Sequence, residues 1–301
     1  MTIYRLVLAC ALLIVLCACT QEDTFEDRIG RAERLIASSD YTAAITELKG
    51  ALLLDKQSAQ ARWLLGTAYL RAGDAASAEK ELLKAIDLGR APGDVIPMLA
   101  ESLLAQGKHA RIRELQETGL EPAEAAALLA VKALSARDLG QRHQAITLVE
   151  SALEKDPDST TALLAKAQIL VGEQDYAGAE LVLENVMPAE SGNGQAWSLL
   201  GDLEQADGNL AAAEEAYTTA SENRIANTGD ILNRVIMRIA LGQYDQAATD
   251  IKQLKRRGVN IPGIHYVEGL LHFAQQRYQD AQTSFEKVLS VDSQNLPVLF
   301  Y

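Results

Sequence analysis

The chain has 301 residues, 48% hydrophobic but only 5% aromatic, and a formal charge of −13. That acidity opposes a nucleic-acid-binding surface, which needs net positive potential, and the apolar share is too high for a disordered acidic chain. Alanine supplies 48 residues against fifteen Trp, Tyr and Phe together, and as the best helix former it points to many short, closely packed helices rather than sheets.

In chain order, Arg5 precedes an apolar run from Leu6 to Leu16, which ends in Cys17-Ala18-Cys19. An early cation, an apolar run and a small residue before the break are the parts of a secretory signal. The run is shorter than the roughly 20 residues a spanning helix needs. All three cysteines, Cys10, Cys17 and Cys19, lie in this segment, so the remainder has no thiol for a disulfide, a metal or nucleophilic catalysis. Leu16-Cys17-Ala18-Cys19 resembles the lipobox of bacterial lipoproteins. That resemblance implies residues 1–18 as a signal peptide, cleavage before Cys19, acylation of its thiol and new amine, and residues 19–24 as a lipidated terminus and spacer. Thr20, not Asp, after the cysteine implies the periplasmic face of the outer membrane. Loss of Arg5 with the signal leaves a charge of −14.

From residue 25 onward the chain repeats itself. Ala44, Ala78, Ala145, Ala179, Ala213, Ala247 and Ala281 recur at steps of 34, except for one gap of 67. Ile112, preceded by Gly107, fills that gap as a degenerate third repeat, which makes eight. Apolar residues three and four apart mark a helix through each anchor. A second helical stretch lies upstream of each turn, clearest in Arg62-Trp63-Leu64-Leu65-Gly66 and Ala196-Trp197-Ser198-Leu199-Leu200-Gly201. Helix, tight turn and helix at this period resembles the tetratricopeptide repeat. The resemblance implies an all-α solenoid, a right-handed superhelix of eight helix-turn-helix repeats over residues 25–293. Gly66, Gly201 and Gly269 are expected to let the second helix of their repeat approach closely.

Residues 89–125 concentrate Gly89, Pro92, Gly93, Pro97, Gly119 and Pro122, and a bend or looser interface is expected there before a domain boundary. The third repeat's second helix, Lys108 to Thr118, is short and charged. Every proline is expected at a helix end, where its missing N–H costs little. Gly192-Asn193-Gly194 reads as a linker. Residues 294–301 read as the apolar opening of a truncated ninth repeat, implying a natural chain that continues.

No catalytic constellation is present: no phosphate-binding glycine loop, no G-x-S-x-G, no H-E-x-x-H, and four histidines without metal-ligand spacing. The sequence therefore predicts a non-enzyme without metal or cofactor, apart from covalent lipid on Cys19. Lys255-Arg256-Arg257 ends a helix, where cations complement the dipole, or contacts an anionic lipid or polymer. First helices line the groove of tetratricopeptide solenoids. That placement puts Trp63, Thr67, Leu70 and Arg71 of the second repeat in the groove, with a polar set, Gln195, Ser198, Asp202 and Gln205, from the sixth. Leu232, Ile236 and Ile239 follow from the seventh, and Tyr266, Leu270 and Phe273 from the eighth. This last apolar set is either an interaction site or a face buried by further repeats. The Lys and Asn set with which some such domains clamp chaperone C-termini is absent.

The lipobox, the acidic spacer and the stretch from Tyr41 through "YTAAITELKGALLLDKQSAQARWLLGTAYLRAGDAASAEKELLKAIDLG" to "VIPMLAESLLAQGK" resemble the tetratricopeptide lipoproteins of exosortase (PEP-CTERM) systems. The likeness spans about residues 10–120; those proteins are longer. It implies a lipid-anchored periplasmic scaffold for exopolysaccharide or exosortase-linked export, with protein partners in an envelope complex, polysaccharide as a further partner, and membrane contact through the anchor. The alternative is an outer-membrane assembly or secretin-assisting lipoprotein.

Overall fold

The computed structural model describes residues 23–187, 192–223, 228–256 and 261–291. These fold into sixteen α-helices and no strands, the class that the alanine content predicts. The signal peptide, Cys19 and the 294–301 segment lie outside the described residues. Two compact units divide between Ala91 and Pro92, inside the Gly- and Pro-dense stretch.

The first unit holds α1 (Phe25–Ala37), α2 (Tyr41–Leu54), α3 (Ala59–Arg71) and α4 (Ala75–Asp87). Each start is capped by a side-chain oxygen that takes an otherwise orphaned backbone N–H. Thr24 forms a capping box with Asp27, and Asp40, Ser58 and Asp74 accept from Ala43, Ala61 and Ser77. Ile29, Ala44, Leu48, Leu64 and Leu65 are the main parts of the core.

The second unit begins with α5 (Pro92–Ala105), α6 (His109–Glu114), α7 (Pro122–Asp138) and α8 (Arg142–Lys155). It continues with α9 (Thr160–Gly172), α10 (Tyr176–Val186), α11 (Gly194–Ala206) and α12 (Leu210–Asn223). It ends with α13 (Thr228–Ala240), α14 (Tyr244–Arg256), α15 (Pro262–Ala274) and α16 (Tyr278–Val291). The degenerate second helix of the third repeat shrinks to the six residues of α6, yet Ile112 remains fully buried. One local expectation is corrected: Pro97 lies inside α5, where it cannot donate to the Gly93 carbonyl one turn back. Gly192 and Asn193 lie between α10 and α11, as expected of a linker, while Gly194 opens α11 and the Asn193 side chain caps it by accepting from the Gln195 and Ala196 amides.

The repeat is written in the backbone. Residues 39, 73, 107, 140, 174, 208, 242 and 276 all have positive φ, at steps of 34 with a single 33. Each is the left-handed residue that ends the first helix of a pair. The following amide, from Asp40 to Arg277, donates to the carbonyl five residues back in all eight turns, the bond that closes a Schellman motif. Three residues thus separate the helices of each pair; the second is the left-handed one and the third stands immediately before the next helix. All eight anchors, Ile112 included, are at most 2% exposed.

The glycines of the first helices act as expected. A Cβ on Gly66 would lie 2.7 Å from Leu82 Cγ, and one on Gly201 2.6 Å from Tyr217 Cε1. On Gly269 it would collide with the Phe285 ring. In each pair, a bulky side chain of the second helix occupies the space that the missing Cβ leaves.

Candidate binding surfaces

In the first unit, Trp63 and Leu70 are half-buried on α3, and Arg71 is exposed in its last turn. Trp63 packs on the α1–α3 core. The Arg90 guanidinium sits 4.2 Å from its ring centroid, a cation–π contact that covers one indole face. Thr67 turns its hydroxyl back to the Trp63 carbonyl at 3.0 Å. What solvent meets here is a Trp–Arg shelf beside Arg71 and Leu70.

The apolar set of the second unit is distributed differently from a continuous patch. Leu232, Ile236 and Ile239 on α13 are half-buried against a core of Ile231, Val235, Ile251 and Leu271. Tyr266 and Leu270 on α15 are half-buried against Phe285 and Val288, with the Tyr266 and Phe285 rings 6.3 Å apart. Phe273 is 41% exposed and meets Tyr278 edge-on at 5.6 Å. The five others flank the core, whereas Phe273 and Tyr278 form an aromatic edge. Tyr278 escaped the sequence reading because its place after the turn marked it as repeat register, not as surface.

Of the polar set of the sixth repeat, Gln195 is half-buried at the start of α11, while Ser198, Asp202 and Gln205 meet neighbouring helices. The Ser198 hydroxyl donates to Asp230 at 2.6 Å. The Tyr217 hydroxyl lies 2.7 Å from an Asp202 carboxylate oxygen and 3.0 Å from Gln205 Oε1. Burial raises the Asp202 carboxyl above its ordinary value and outweighs the lowering bond from Tyr217; the nearby Asp230 charge adds to the rise. Burial, then the Asp202 charge, keeps the Tyr217 phenol protonated. Further along, Arg234 donates to both Asp250 oxygens at 2.9 and 2.8 Å and to Ser221 at 2.8 Å. Arg238 bridges Asp250 and Glu214. Asp230, Arg234 and Asp250 are all buried, so these charges join α11 through α14 and are not offered to solvent. Sequence alone missed the network. Its only trace was Arg234 and Arg238 one turn apart on α13.

A cleft of about 530 Å³ opens where α14 meets α15. Its apolar part includes Ile251 and Leu271, both at most 4% exposed. Lys252, Lys255, Arg256 and Arg277 stand around it with one acid, Glu268. Lys255 is paired with Glu268, which also lies 3.3 Å from His265 Nδ1. His272 lines the cleft; burial first, then Arg277, lowers its pKa. Arg257, the last member of the basic run, lies outside the described residues. Among the described residues no three His, Cys, Asp or Glu side chains gather as a metal site, and no helix is long and apolar enough to cross a membrane.

Two family models described as tetratricopeptide repeat match the chain, one at residues 29–95 and 233–295 and the other at 136–203. No curated protein matches it in sequence. Among solved structures, a chain of the Cut9–Hcn1 hetero-tetramer of the APC/C is 14% identical, with a TM-score of 0.67 over 94% of this chain and 56% of that one. This chain therefore spans little more than half of that neighbour. A tetratricopeptide repeat protein from Parabacteroides merdae ATCC 43184 is 16% identical, covering 91% of this chain and 95% of that one, at a TM-score of 0.48. Pseudomonas aeruginosa PilF is 14% identical over 81% and 96%, at 0.49. The matched segments make up well over half of the sequence, and the paired helices carry the repeat's turn and glycine geometry: the chain belongs to the tetratricopeptide-repeat family.

Proposed function

We propose that the protein is a lipid-anchored scaffold at the periplasmic face of the outer membrane, holding protein partners of an exopolysaccharide or exosortase-linked export complex. The observation that carries the scaffold reading is the run of tetratricopeptide repeats, a fold that generally mediates protein–protein contact. The anchor rests on Leu16-Cys17-Ala18-Cys19, and the export setting on the resemblance over residues 10–120. Half-buried Trp63, Leu70, Leu232, Ile236, Ile239, Tyr266 and Leu270, with exposed Arg71 and Phe273, remain the candidate contact residues.

Crosslinking in intact cells followed by pull-down from the membrane fraction tests the role. Components of a polysaccharide-secretion complex are expected. Recovery of only barrel-assembly or secretin components would replace this assignment with an assembly lipoprotein. Cys19→Ala should release the protein from membranes, since each buried acyl CH₂ contributes about 0.8 kcal/mol to anchoring. Unchanged fractionation would refute lipidation at Cys19.

A further inference from the structure

The chain is acidic at −13, yet the cleft between α14 and α15 is lined by four Lys or Arg side chains and one acid. That acid, Glu268, is already engaged by Lys255 and His265. Lys252 and Arg256 stand one turn apart on the exposed side of α14 and make no ion pair among the described residues. Arg277 faces them from the turn before α16; it donates to the Gln275 side chain, and Asp280 stands 3.9 Å from it. Three cations therefore surround an apolar floor made by exposed Ala248 and their own aliphatic stems over Ile251 and Leu271.

We propose that this cleft holds an acidic peptide segment of a partner protein, with carboxylates on Lys252, Arg256 and Arg277 and an aliphatic side chain against Ala248 and the stems of those cations, over Ile251 and Leu271. Charge complementarity selects an anion and steers its approach. The apolar floor selects a peptide over an anionic polysaccharide, which has no aliphatic side chain to place there. The cleft's concavity selects against the flat surface of a bilayer. The inference rests on the scaffold reading and names the chemistry of one partner contact. The site uses the second helix of the seventh repeat and the first helix of the eighth, so it is separate from the first-helix groove residues.

The test is fluorescence anisotropy on the full chain in detergent, with a fluorescein-labelled hexapeptide of alternating glutamate and leucine. Saturable binding that weakens with salt is expected, and none to the glutamine counterpart. Lys252→Glu with Arg256→Glu should weaken binding roughly tenfold, since two attractions become repulsions. Because both side chains are exposed, helicity should be unchanged. If the double reversal fails to fold, Lys252→Gln with Arg256→Gln must weaken binding about threefold. Unchanged affinity in the folded variant overturns the proposal. So does binding of oligogalacturonate or phosphatidylglycerol vesicles without binding of the peptide. The crosslinking pull-down, repeated with the variant, separates the two readings. Partners recovered at wild-type level while the peptide fails to bind sinks the cleft and leaves the scaffold. Recovery of no protein partner by the wild type sinks the scaffold itself.

Discussion

Gly201→Ala adds one methyl group to α11 and places it 2.6 Å from Tyr217 Cε1, 2.7 Å from Cδ1 and 2.9 Å from Cζ. Carbon atoms prefer about 3.5–4.0 Å, so the overlap is about 1 Å on three ring atoms. The ring has little room to withdraw. Tyr217 is 0% exposed, and its hydroxyl is held by Asp202 and Gln205. Overpacking of a fixed core costs about 1–3 kcal/mol, and this immobile ring puts the substitution near the upper end. Alanine's better helix propensity returns about 1 kcal/mol, which leaves a net loss of about 2 kcal/mol. In urea unfolding followed by far-UV circular dichroism, with a slope of about 2–3 kcal/mol/M, the midpoint should fall by roughly 0.7–1 M. Gly172→Ala, at the last residue of α9, is the control: no atom beyond its own helix backbone and chain neighbours lies within 4 Å of the new methyl, so stability should hold or rise by up to about 0.5 kcal/mol. A Gly201→Ala midpoint at or above wild type would refute the steric reasoning. So would strict additivity with Tyr217→Leu, because atoms in contact have to couple.

Asp250→Leu leaves Arg234 buried without its bidentate partner and should cost about 3–5 kcal/mol. Adding Arg234→Met should recover most of it, because Arg238 keeps Glu214; a double-mutant cycle by urea unfolding shows whether it does. The folded pKa of Asp202 lies above its ordinary value of 3.8, so its contribution is fully present below that value and is lost as pH rises through the folded one. Asp202→Asn should therefore gain on the wild type as pH rises above about 4; a gap in unfolding free energy that stays constant with pH would count against the burial argument. Gln174 holds φ +62° where five other repeats place glycine. Left-handed backbone costs a non-glycine residue about 1–2 kcal/mol and glycine loses about 0.5–1 through chain entropy, so Gln174→Gly should raise stability by about 0.5 kcal/mol or more, as thermal and urea unfolding would report.

The fold was legible because a tandem repeat makes one signal several times. The anchor alanines at steps of 34, with Ile112 in the gap, mark buried sites in every repeat. The turn was legible where glycine occupies it, at Gly73, Gly107, Gly140, Gly208 and Gly242. It was less so at Ser39, Gln174 and Gln276, where the neighbouring register imposes the same conformation on residues that do not prefer it. Pro97 was misplaced because a proline beyond the first turn is unfavourable locally, whereas Pro92 does open α5, the first position that suits proline. Surface was harder than fold. Periodicity gives the face on which Asp202 or Leu232 lies but not what packs on that face. The Asp202–Tyr217 and Ser198–Asp230 partners lie on different helices, 15 and 32 residues apart in sequence. The cleft was half visible as a basic run ending α14. Arg277 joins it only through the packing of the next repeat.

The glycine slots also decide where such a gene can be cut and rejoined. Gly66 with Leu82, Gly201 with Tyr217 and Gly269 with Phe285 each stand sixteen residues apart, on either side of the turn within one repeat. A crossover at that turn separates slot from filler. Joining α3 to α12, for example, would set the Tyr217 hydroxyl opposite Thr67 and Leu70 in place of Asp202 and Gln205, losing both of its acceptors. A crossover between repeats keeps every pair whole. The exchangeable cassette is therefore the intact helix pair, and hybrids built on half-pair junctions should fold worse than those joined a helix later.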